Sequence, residues 1–350
     1  MPAPVTHMLP LTTIRRARLL ENPGRVLVRT GQVVTATDPI AETYLPEQHF
    51  LLDVRRTLGV GSIKKAQELI QRREGEKIQK GDVIAETGGL FSRVVRAPYD
   101  GVVVAVGGGQ VWIEALGQPF QLRAGMPGTV TDVITDRGAI LETSGALVQG
   151  TWGNGLIDLG VMLSLARTPD DELTRDRLDV SMRGAVVVGS YVEKADVLKS
   201  AADLQLRGLI LASIQPGLLR QAQTLKFPVV VIEGFGRIPY NSTAYRLLTS
   251  NEKRDAALNA TAWNPYTGER PEVVIPLPAG GELAPDTLEF KVGQTARIHG
   301  APFLGQIGTI TALRSGSAAL QNGLRAPAAD LRLENGDRVL VPLANLDILE

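Results

Sequence analysis

The 350-residue chain contains no cysteine. Disulfide bonds, thiolate metal sites and a cysteine nucleophile are therefore excluded. A chain without cysteine is compatible with a reducing compartment, where disulfides rarely persist.

Histidine is also scarce, because His7, His49 and His299 are the three in the chain. They fall in different predicted elements, and none lies at the spacing of a zinc site or of a histidine-based catalytic motif. The acidic run Asp170-Asp171-Glu172 follows Thr168-Pro169 and is typical of the first turn of a helix. The sequence specifies no reaction, metal or cofactor, and it favours a protein that is not an enzyme.

Long apolar runs and an excess charge are absent as well. No stretch of about 18 apolar residues occurs, and the N-terminus lacks the apolar core of a signal peptide. The 37 basic residues balance 37 acidic ones, so no global field favours nucleic acid or anionic lipid. We expect a soluble cytoplasmic protein without a membrane interaction, long enough for several domains.

What the chain does have is a repeat. GQVVTATDPIAET (31–43) and GEKIQKGDVIAET (75–87) share a pattern of apolar, polar and turn residues, 44 positions apart. Such alternation predicts short, half-buried strands. The second copy continues into a turn at Asp100-Gly101 and a strand at 102–106, and a related phrase returns at 127–143, where Glu142 corresponds to Glu114.

The stretch EGEKIQKGDVIAET…VVRAPYDGVVVAV resembles the barrel-sandwich hybrid of biotinyl and lipoyl domains. The resemblance implies that the two copies are the halves of one sandwich, within a β domain that covers residues 1–150. Carrier members of that family need a lysine on the central hairpin, but Leu90 lies near that place, and no lysine occurs between Lys80 and Lys194. The resemblance therefore implies a non-carrier module without a biotin or lipoate cofactor.

Residues 45–73 between the two copies predict a helical insertion split at Gly59-Val60-Gly61. Ser62 is a suitable N-cap for the second helix. The charged side chains of this insertion lie off its apolar face. Two interpretations remain open, a solvated surface and a docking surface for an acidic partner.

Residues 151–262 predict a three-layer α/β domain. Buried strands at 183–191, 208–214 and 227–236 alternate with helices, the last of which is predicted over 241–260. This alternation is typical of a parallel sheet covered on both faces. Before them, Gly150, Gly153 and Gly155 have neither phosphate-loop nor dinucleotide spacing, so a turn at a domain junction is favoured over a phosphate site.

The carboxyl ends of those strands carry residues that predict a ligand site, since ligands of parallel sheets bind at that edge. The alternative is that the same residues cap the helices that follow. The predicted ligand-site residues are Ser190, Ser213, Glu233, Gly234 and Arg237.

Residues 263–289 are rich in proline and glycine and predict a linker. Beyond them, the segment FKVGQTARIHGAPFLGQIGTITAL (290–313) and the terminal strands resemble a KOW module, the SH3-like barrel of NusG-type transcription factors and some ribosomal proteins. This resemblance implies an SH3-like barrel over 290–350 that contacts protein or RNA. The nearly even local charge, six basic against five acidic residues, favours protein.

Two functional hypotheses follow. The first is a non-catalytic adaptor that binds protein partners, and the second is a small-molecule-binding or enzymatic α/β domain flanked by β modules. Any nucleic-acid binding is expected to be weak and to use basic side chains. The predicted basic-surface residues are Arg55, Arg56, Lys64, Lys65, Arg72, Arg73, Arg297 and Arg325.

Overall fold

A computed structural model describes residues 2–88, 92–264, 267–278, 280–285 and 288–350 of the protein. Leu90, at the place of the carrier lysine, lies outside the described residues. The fold is β-rich and is built from several sheets together with short helices, as expected.

The first part of the chain, up to residue 149, is almost entirely β-structure with two short helices. Its elements are β1 (Pro2–Ala3), β2 (Val5–Thr6), β3 (Met8–Leu19), β4 (Arg25–Val26), β5 (Val33–Val34), β6 (Pro39–Asp53), α1 (Val54–Leu58), α2 (Ile63–Glu68), β7 (Lys77–Ile78), β8 (Val83–Glu86), β9 (Val94–Arg96), β10 (Gly101–Gly107), β11 (Gln110–Arg123), β12 (Gly128–Ile134) and β13 (Gly138–Gln149).

The remainder of the chain alternates strands with helices and then returns to strands. Its elements are β14 (Trp152–Gly153), β15 (Ile157–Ser164), β16 (Val186–Val192), α3 (Ala195–Asp203), β17 (Gly208–Ile214), α4 (Leu219–Thr224), β18 (Val229–Phe235), α5 (Ser242–Ser250), β19 (Asp255–Asn259), β20 (Glu272–Pro276), β21 (Leu288–Glu289), β22 (Thr295–Ile298), β23 (Ile307–Leu313), β24 (Ala318–Ala319), β25 (Arg325–Ala326), β26 (Ala328–Leu333), β27 (Arg338–Pro342) and β28 (Leu346–Leu349), with 3₁₀ turns at Arg175–Arg177, Val180–Met182, Pro216–Leu218 and Leu343–Asn345.

The two sequence copies have the same backbone structure. The amide of Gly31 donates to the carbonyl of Val130, and that of Gly75 donates to Val103, both at 2.8 Å. β5 pairs with β12 in the way that β7 pairs with β10. The equivalence that the repeat indicates is therefore present in the fold.

Each copy nevertheless has its own hydrophobic core. Val130 and Leu141 belong to the core of the first copy, whereas Val103 and Ile113 belong to the core of the second. The prediction that the copies are two halves of one sandwich is therefore wrong. It failed because the local strand pattern does not show which copy supplies the partner strands.

The second copy is nested inside the first. β6 and β11 form a long antiparallel ribbon whose ladder runs from Pro39–Arg123 at one end to Asp53–Gln110 at the other. The core of the first copy lies at the Pro39–Arg123 end of the ribbon, and the core of the second copy lies at the Asp53–Gln110 end. Residues 71–115 therefore interrupt the first copy. The ribbon connects two small cores.

The predicted helical insertion is partly wrong, because residues 45–53 continue strand β6 and only α1 and α2 are helical. The break between these helices is confirmed, since Gly59 ends α1 with a left-handed φ of 69°. Ser62 is confirmed as the N-cap of α2, where its hydroxyl accepts from the amide of Lys65 at 3.4 Å.

The parallel sheet contains the predicted strands and one more. β16, β17 and β18 run parallel, and β15 joins them next to β16, so residues 157–164 form a strand beyond the expected turn. The third helix ends at Ser250, because Lys253 adopts a φ of 68° that a helix cannot contain. Residues 255–259, predicted as helix, form the buried strand β19.

One eleven-stranded sheet crosses the predicted boundary at residue 150. Its order is β14-β18-β17-β16-β15-β19-β20-β13-β12-β5, and β3 also pairs with β13. The linker prediction is wrong for Glu272–Pro276, because this segment is β20, which lies between β13 and β19. One core accordingly contains side chains from both sides of the boundary, such as Val148 and Ile210.

The C-terminal sheet has the order β2-β28-β22-β23-β26-β27. Its strand β2 comes from the beginning of the chain and runs parallel to β28, so the first residues join the last. The longest helices of the described residues, α3 and α5, have nine residues each, and none is long and apolar enough to cross a membrane.

Because the two copies have separate cores, a substitution in one core should lower the local stability of that copy more than that of the other. Ile113→Ala should lower stability by about 2–5 kcal/mol, because it leaves a cavity in the core of the second copy. We expect amide hydrogen exchange to accelerate within 71–115 while 186–192 stays protected. Leu141→Ala, at the equivalent place in the first copy, is the control and should loosen strands of the large sheet. Uniform acceleration in Ile113→Ala would contradict two independent cores.

Candidate functional site

A cavity of about 230 Å³ lies where the carboxyl end of β18 meets the C-terminal sheet. The large sheet contributes the end of β18 and the loop that follows, and the C-terminal part contributes β22 and the turn after it. The lining residues are Thr151, Glu233, Gly234, Phe235, Ile238, Trp263, Arg270, Arg297, His299, Leu304 and Gly305.

A buried ion pair between Glu233 and Arg297 forms one wall. Both side chains are 1% exposed, and Arg297 Nη2 donates to Glu233 Oε2. The other carboxylate oxygen, Oε1, accepts from the backbone amide of Asn241 at 2.9 Å and from its side chain at 2.7 Å. The pair joins the large sheet to β22 of the C-terminal sheet.

The guanidinium of Arg297 is only partly satisfied by hydrogen bonds. Nη1 donates to the carbonyl of Ile232 at 3.3 Å, and Nη2 is taken by Glu233. The Nε–H is buried and has no hydrogen-bond partner within the described residues. An unsatisfied buried donor destabilises the folded state, so this group lowers the net stabilisation that the ion pair provides.

A second buried charge cluster centres on Asp347. Its Oδ2 accepts from Thr6 at 3.1 Å, and it lies 2.8 Å from Arg270 Nη2 and 3.0 Å from His299 Nε2. Burial raises the pKa of the Asp347 carboxyl, but the hydrogen bond with His299 and the charge of Arg270 outweigh it, so the pKa is lowered overall. Asp347 is thus held as a carboxylate.

Arg270 connects this cluster to the cavity. Its guanidinium carbon lies 5.3 Å from the centre of the Trp263 ring, which is within the range of a cation–π contact. Burial lowers the pKa of Arg270, and the nearby charge of Arg297 acts in the same direction, although Asp347 opposes both. Arg270 and Arg297 both line the cavity.

The remaining walls are apolar. Phe235, Leu304 and Trp263 are partly exposed at the cavity, and Ile238 packs beside Gly305. An alanine Cβ at position 305 would lie 3.1 Å from Ile238 Cδ1, and the glycine has a φ of 80°, so this contact needs glycine. Apolar walls with a few charged groups are typical of small-molecule sites.

The predicted ligand-site residues have different locations. Glu233 and Gly234 line the cavity. Ser213 exchanges hydrogen bonds with the backbone of Ile238, donating at 2.7 Å and accepting at 3.1 Å, so it positions a cavity residue. Ser190 donates to the carbonyl of Thr168, and Arg237 lies 5.7 Å from the Tyr191 ring. Neither Ser190 nor Arg237 lines the cavity.

Five of the eight residues of the predicted basic surface are exposed and lie on or near α1 and α2. Arg55, Arg56, Lys64, Lys65 and Arg73 are exposed.

The other three members of the predicted surface have partners. Arg72 pairs with Glu76 and Asp82, and Arg325 is exposed and donates to the carbonyl of Ser317 at 3.0 Å. For Arg297 the surface prediction is wrong, because its partner Glu233 lies on a different sheet and draws the side chain into the interior.

The residues of this region that sequence reasoning missed include Trp263, Arg270, His299 and Asp347. The first two lie in the segment that was predicted to be a linker. The presence of Trp263 and Arg270 in this segment was a signal, because a solvated linker does not need an aromatic or an arginine side chain. Their convergence depends on β20 and on the return of β2 to the C-terminal sheet.

Within the described residues, no group of three or more metal-ligating side chains could hold a metal ion. Comparison of the chain with known protein families and with curated proteins finds no match.

Because Arg297 and Glu233 form a buried ion pair, substitutions of the two residues should have non-additive effects on the free energy of unfolding. Arg297→Met should lower the free energy of unfolding by about 3–5 kcal/mol, because it leaves Glu233 charged and buried. Adding Glu233→Gln should restore much of this loss, which urea unfolding of the single and double variants measures.

Arg25→Met is the matched control, because its ion pair with Glu42 involves an arginine that is 74% exposed. We expect a loss of at most about 1 kcal/mol there. An equally small loss in Arg297→Met would mean that the buried pair does not stabilise the fold.

Asp347 predicts a pH dependence. Because its pKa is lower in the folded state than in the unfolded chain, it stabilises the fold above the unfolded pKa of about 3.9, and this contribution is lost as pH falls through the folded pKa. Urea unfolding should show Asp347→Asn to be less stable than the wild type at pH 7, with a smaller difference near pH 3. A constant difference would contradict the shift.

Proposed function

We propose that this protein binds a small molecule in the cavity between β18 and the C-terminal sheet. The observation that carries the proposal is a cavity of about 230 Å³ whose apolar walls also carry Glu233, Arg270 and Arg297. The position also agrees with the rule that ligands of parallel sheets bind beyond the carboxyl ends of the strands. A ligand there would contact both the large sheet and the C-terminal sheet.

The test uses a variant that narrows the cavity. Leu304→Trp should reduce binding, because Leu304 lines the cavity and is 62% exposed, so a larger side chain can be accommodated without unfolding. Leu324→Trp is the matched control, since Leu324 is 64% exposed and lies away from the cavity lining.

The full chain would be incubated with a small-molecule extract, washed and denatured, and the released compounds identified by mass spectrometry. We expect a compound that the wild type and Leu324→Trp retain and that Leu304→Trp loses. At 100 times its Kd, this compound should raise the free energy of unfolding by about 2.7 kcal/mol. The absence of any compound that distinguishes the two variants would refute the proposal.

A second candidate function is that of an adaptor for a protein partner. It is favoured by the β6–β11 ribbon, where Leu51 and Trp112 lie opposite each other on the face away from the core and are about half exposed. Aromatic residues of this kind are enriched at protein interfaces. The basic residues of α1 and α2, next along the chain, favour an acidic partner.

The adaptor function predicts loss of a partner in one tryptophan variant. Trp112→Ser should lose a stoichiometric partner that co-purifies from native lysate, whereas Trp263→Ser should keep it. The two side chains are similarly exposed, at 50% and 47%, so general surface polarity does not explain a difference. Equal recovery with both variants would argue against the ribbon as the docking surface.

We also propose family relationships for two parts of the fold. The order of the C-terminal sheet, a meander closed by β28 against β22, supports an SH3-like barrel of the KOW type. The duplicated turns of the nested copies support two barrel-sandwich-like modules rather than one. The second module would not be a biotin or lipoate carrier, since no lysine lies between Lys80 and Lys194.

A further inference from the structure

The buried charges beside the cavity are paired within the protein. Arg297 pairs with Glu233 and Arg270 pairs with Asp347, so these four groups sum to zero. Both oxygens of Glu233 accept hydrogen bonds, and Asp347 has His299 as a further partner at 3.0 Å. Each of the four charges therefore has an opposite charge next to it before any ligand binds.

This balance favours a neutral ligand. An ion that enters the cavity gives up part of its hydration, and it recovers this loss only where an unpaired opposite charge is available. If the ion took over one member of an existing pair, the other member would be left buried and alone, which is strongly unfavourable. A neutral molecule meets neither penalty.

The accessible part of the cavity wall is largely apolar. Phe235, Trp263 and Leu304 all line the cavity and are 41%, 47% and 62% exposed. Three large apolar side chains around one cavity form a patch, and exposed patches of this kind mark binding sites. A ligand that covers them removes apolar surface from water, which is favourable in proportion to the area covered.

Trp263 and the cavity volume define the shape of the ligand. The guanidinium carbon of Arg270 lies over the Trp263 ring, 5.3 Å from its centre, so a cation–π contact helps to fix the orientation of the ring. A fixed aromatic ring offers a flat surface on which another ring can stack. The cavity of about 230 Å³ is below the range of roughly 300–1,000 Å³ that is usual for drug-sized ligands, so it suits a single ring system.

We infer that the cavity binds a small, neutral aromatic molecule, whose ring packs against Trp263 and whose remaining surface contacts Phe235 and Leu304. This inference rests on the proposed small-molecule function and names its ligand class. Trp263 then selects the ligand by shape, and the pairing of the buried charges excludes ions.

Benzyl alcohol, benzoate and benzylamine are the probes. Each has one aromatic ring with one substituent carbon, and at pH 7 they are neutral, anionic and cationic, respectively. Isothermal titration calorimetry of the full chain should give benzyl alcohol a Kd about tenfold or more below that of either ion. An ion that binds as tightly as benzyl alcohol would overturn the neutral class and leave the small-molecule function standing.

The assignment of the ring to Trp263 has a matched control. Trp263→Ala should raise the Kd of benzyl alcohol about tenfold, because the stacking surface is lost. Trp112→Ala removes a tryptophan of the ribbon that is similarly exposed, at 50%, and should leave this Kd unchanged. Circular dichroism verifies that both variants are folded. Equal Kd values in the wild type and Trp263→Ala would overturn the assignment of the ring.

Asp347→Asn tests the charge argument directly, because it leaves Arg270 without its carboxylate partner. The Kd of benzoate should then fall about tenfold, while that of benzyl alcohol stays the same. An unchanged Kd for benzoate in the folded variant would overturn the exclusion of anions by internal pairing. If none of the three probes binds, the ligand class is wrong. The small-molecule function itself fails only if no compound from the extract distinguishes Leu304→Trp from Leu324→Trp.

Discussion

A single strand, β13, joins the core of the first copy to the large sheet. It pairs with β12 and β3 along its first half and with β20 and β3 along its second, so it belongs at once to the core of the first repeat and to the large sheet. Backbone hydrogen bonds in the interior must be made, because an unpaired group there is costly. β13 therefore requires partner strands on both sides, and these are β3 and β12 from the N-terminal part of the chain and β20 from the segment after the parallel strands.

Local pattern predicted much of this structure. The continuous apolar runs at 208–214 and 227–236 indicate buried parallel strands, and they are found there. The correspondence of Glu114 with Glu142 is also present, since Val102 pairs with Glu114 as Thr129 pairs with Glu142. These features depend on side-chain alternation and turn chemistry, which a short stretch of sequence contains.

The parts that were missed depend on long-range pairing. Nothing within residues 272–276 shows that they lie between β13 and β19, and nothing near Arg297 shows that Glu233, 64 positions away, will neutralise it. An arginine in an alternating strand is ordinarily expected at the surface, because burial of a charge without a partner is very unfavourable. Of the candidate site, therefore, only the wall formed by the end of β18, with Glu233 and Gly234, was predictable from the sequence.

The nested arrangement of the two copies also sets an order of folding during synthesis. The second copy is contiguous, so its core can close once residue 115 has left the ribosome. The first copy, although it begins earlier, must wait for residues up to Leu147, and Val274 of β20 completes its core later still. It must also close a loop that contains an already folded unit. A folded insert holds the ends of β6 and β11 side by side, which shortens the effective loop and lowers the entropy cost of its closure. The second copy, once folded, thus favours the folding of the first copy by holding the two strands of the ribbon next to each other.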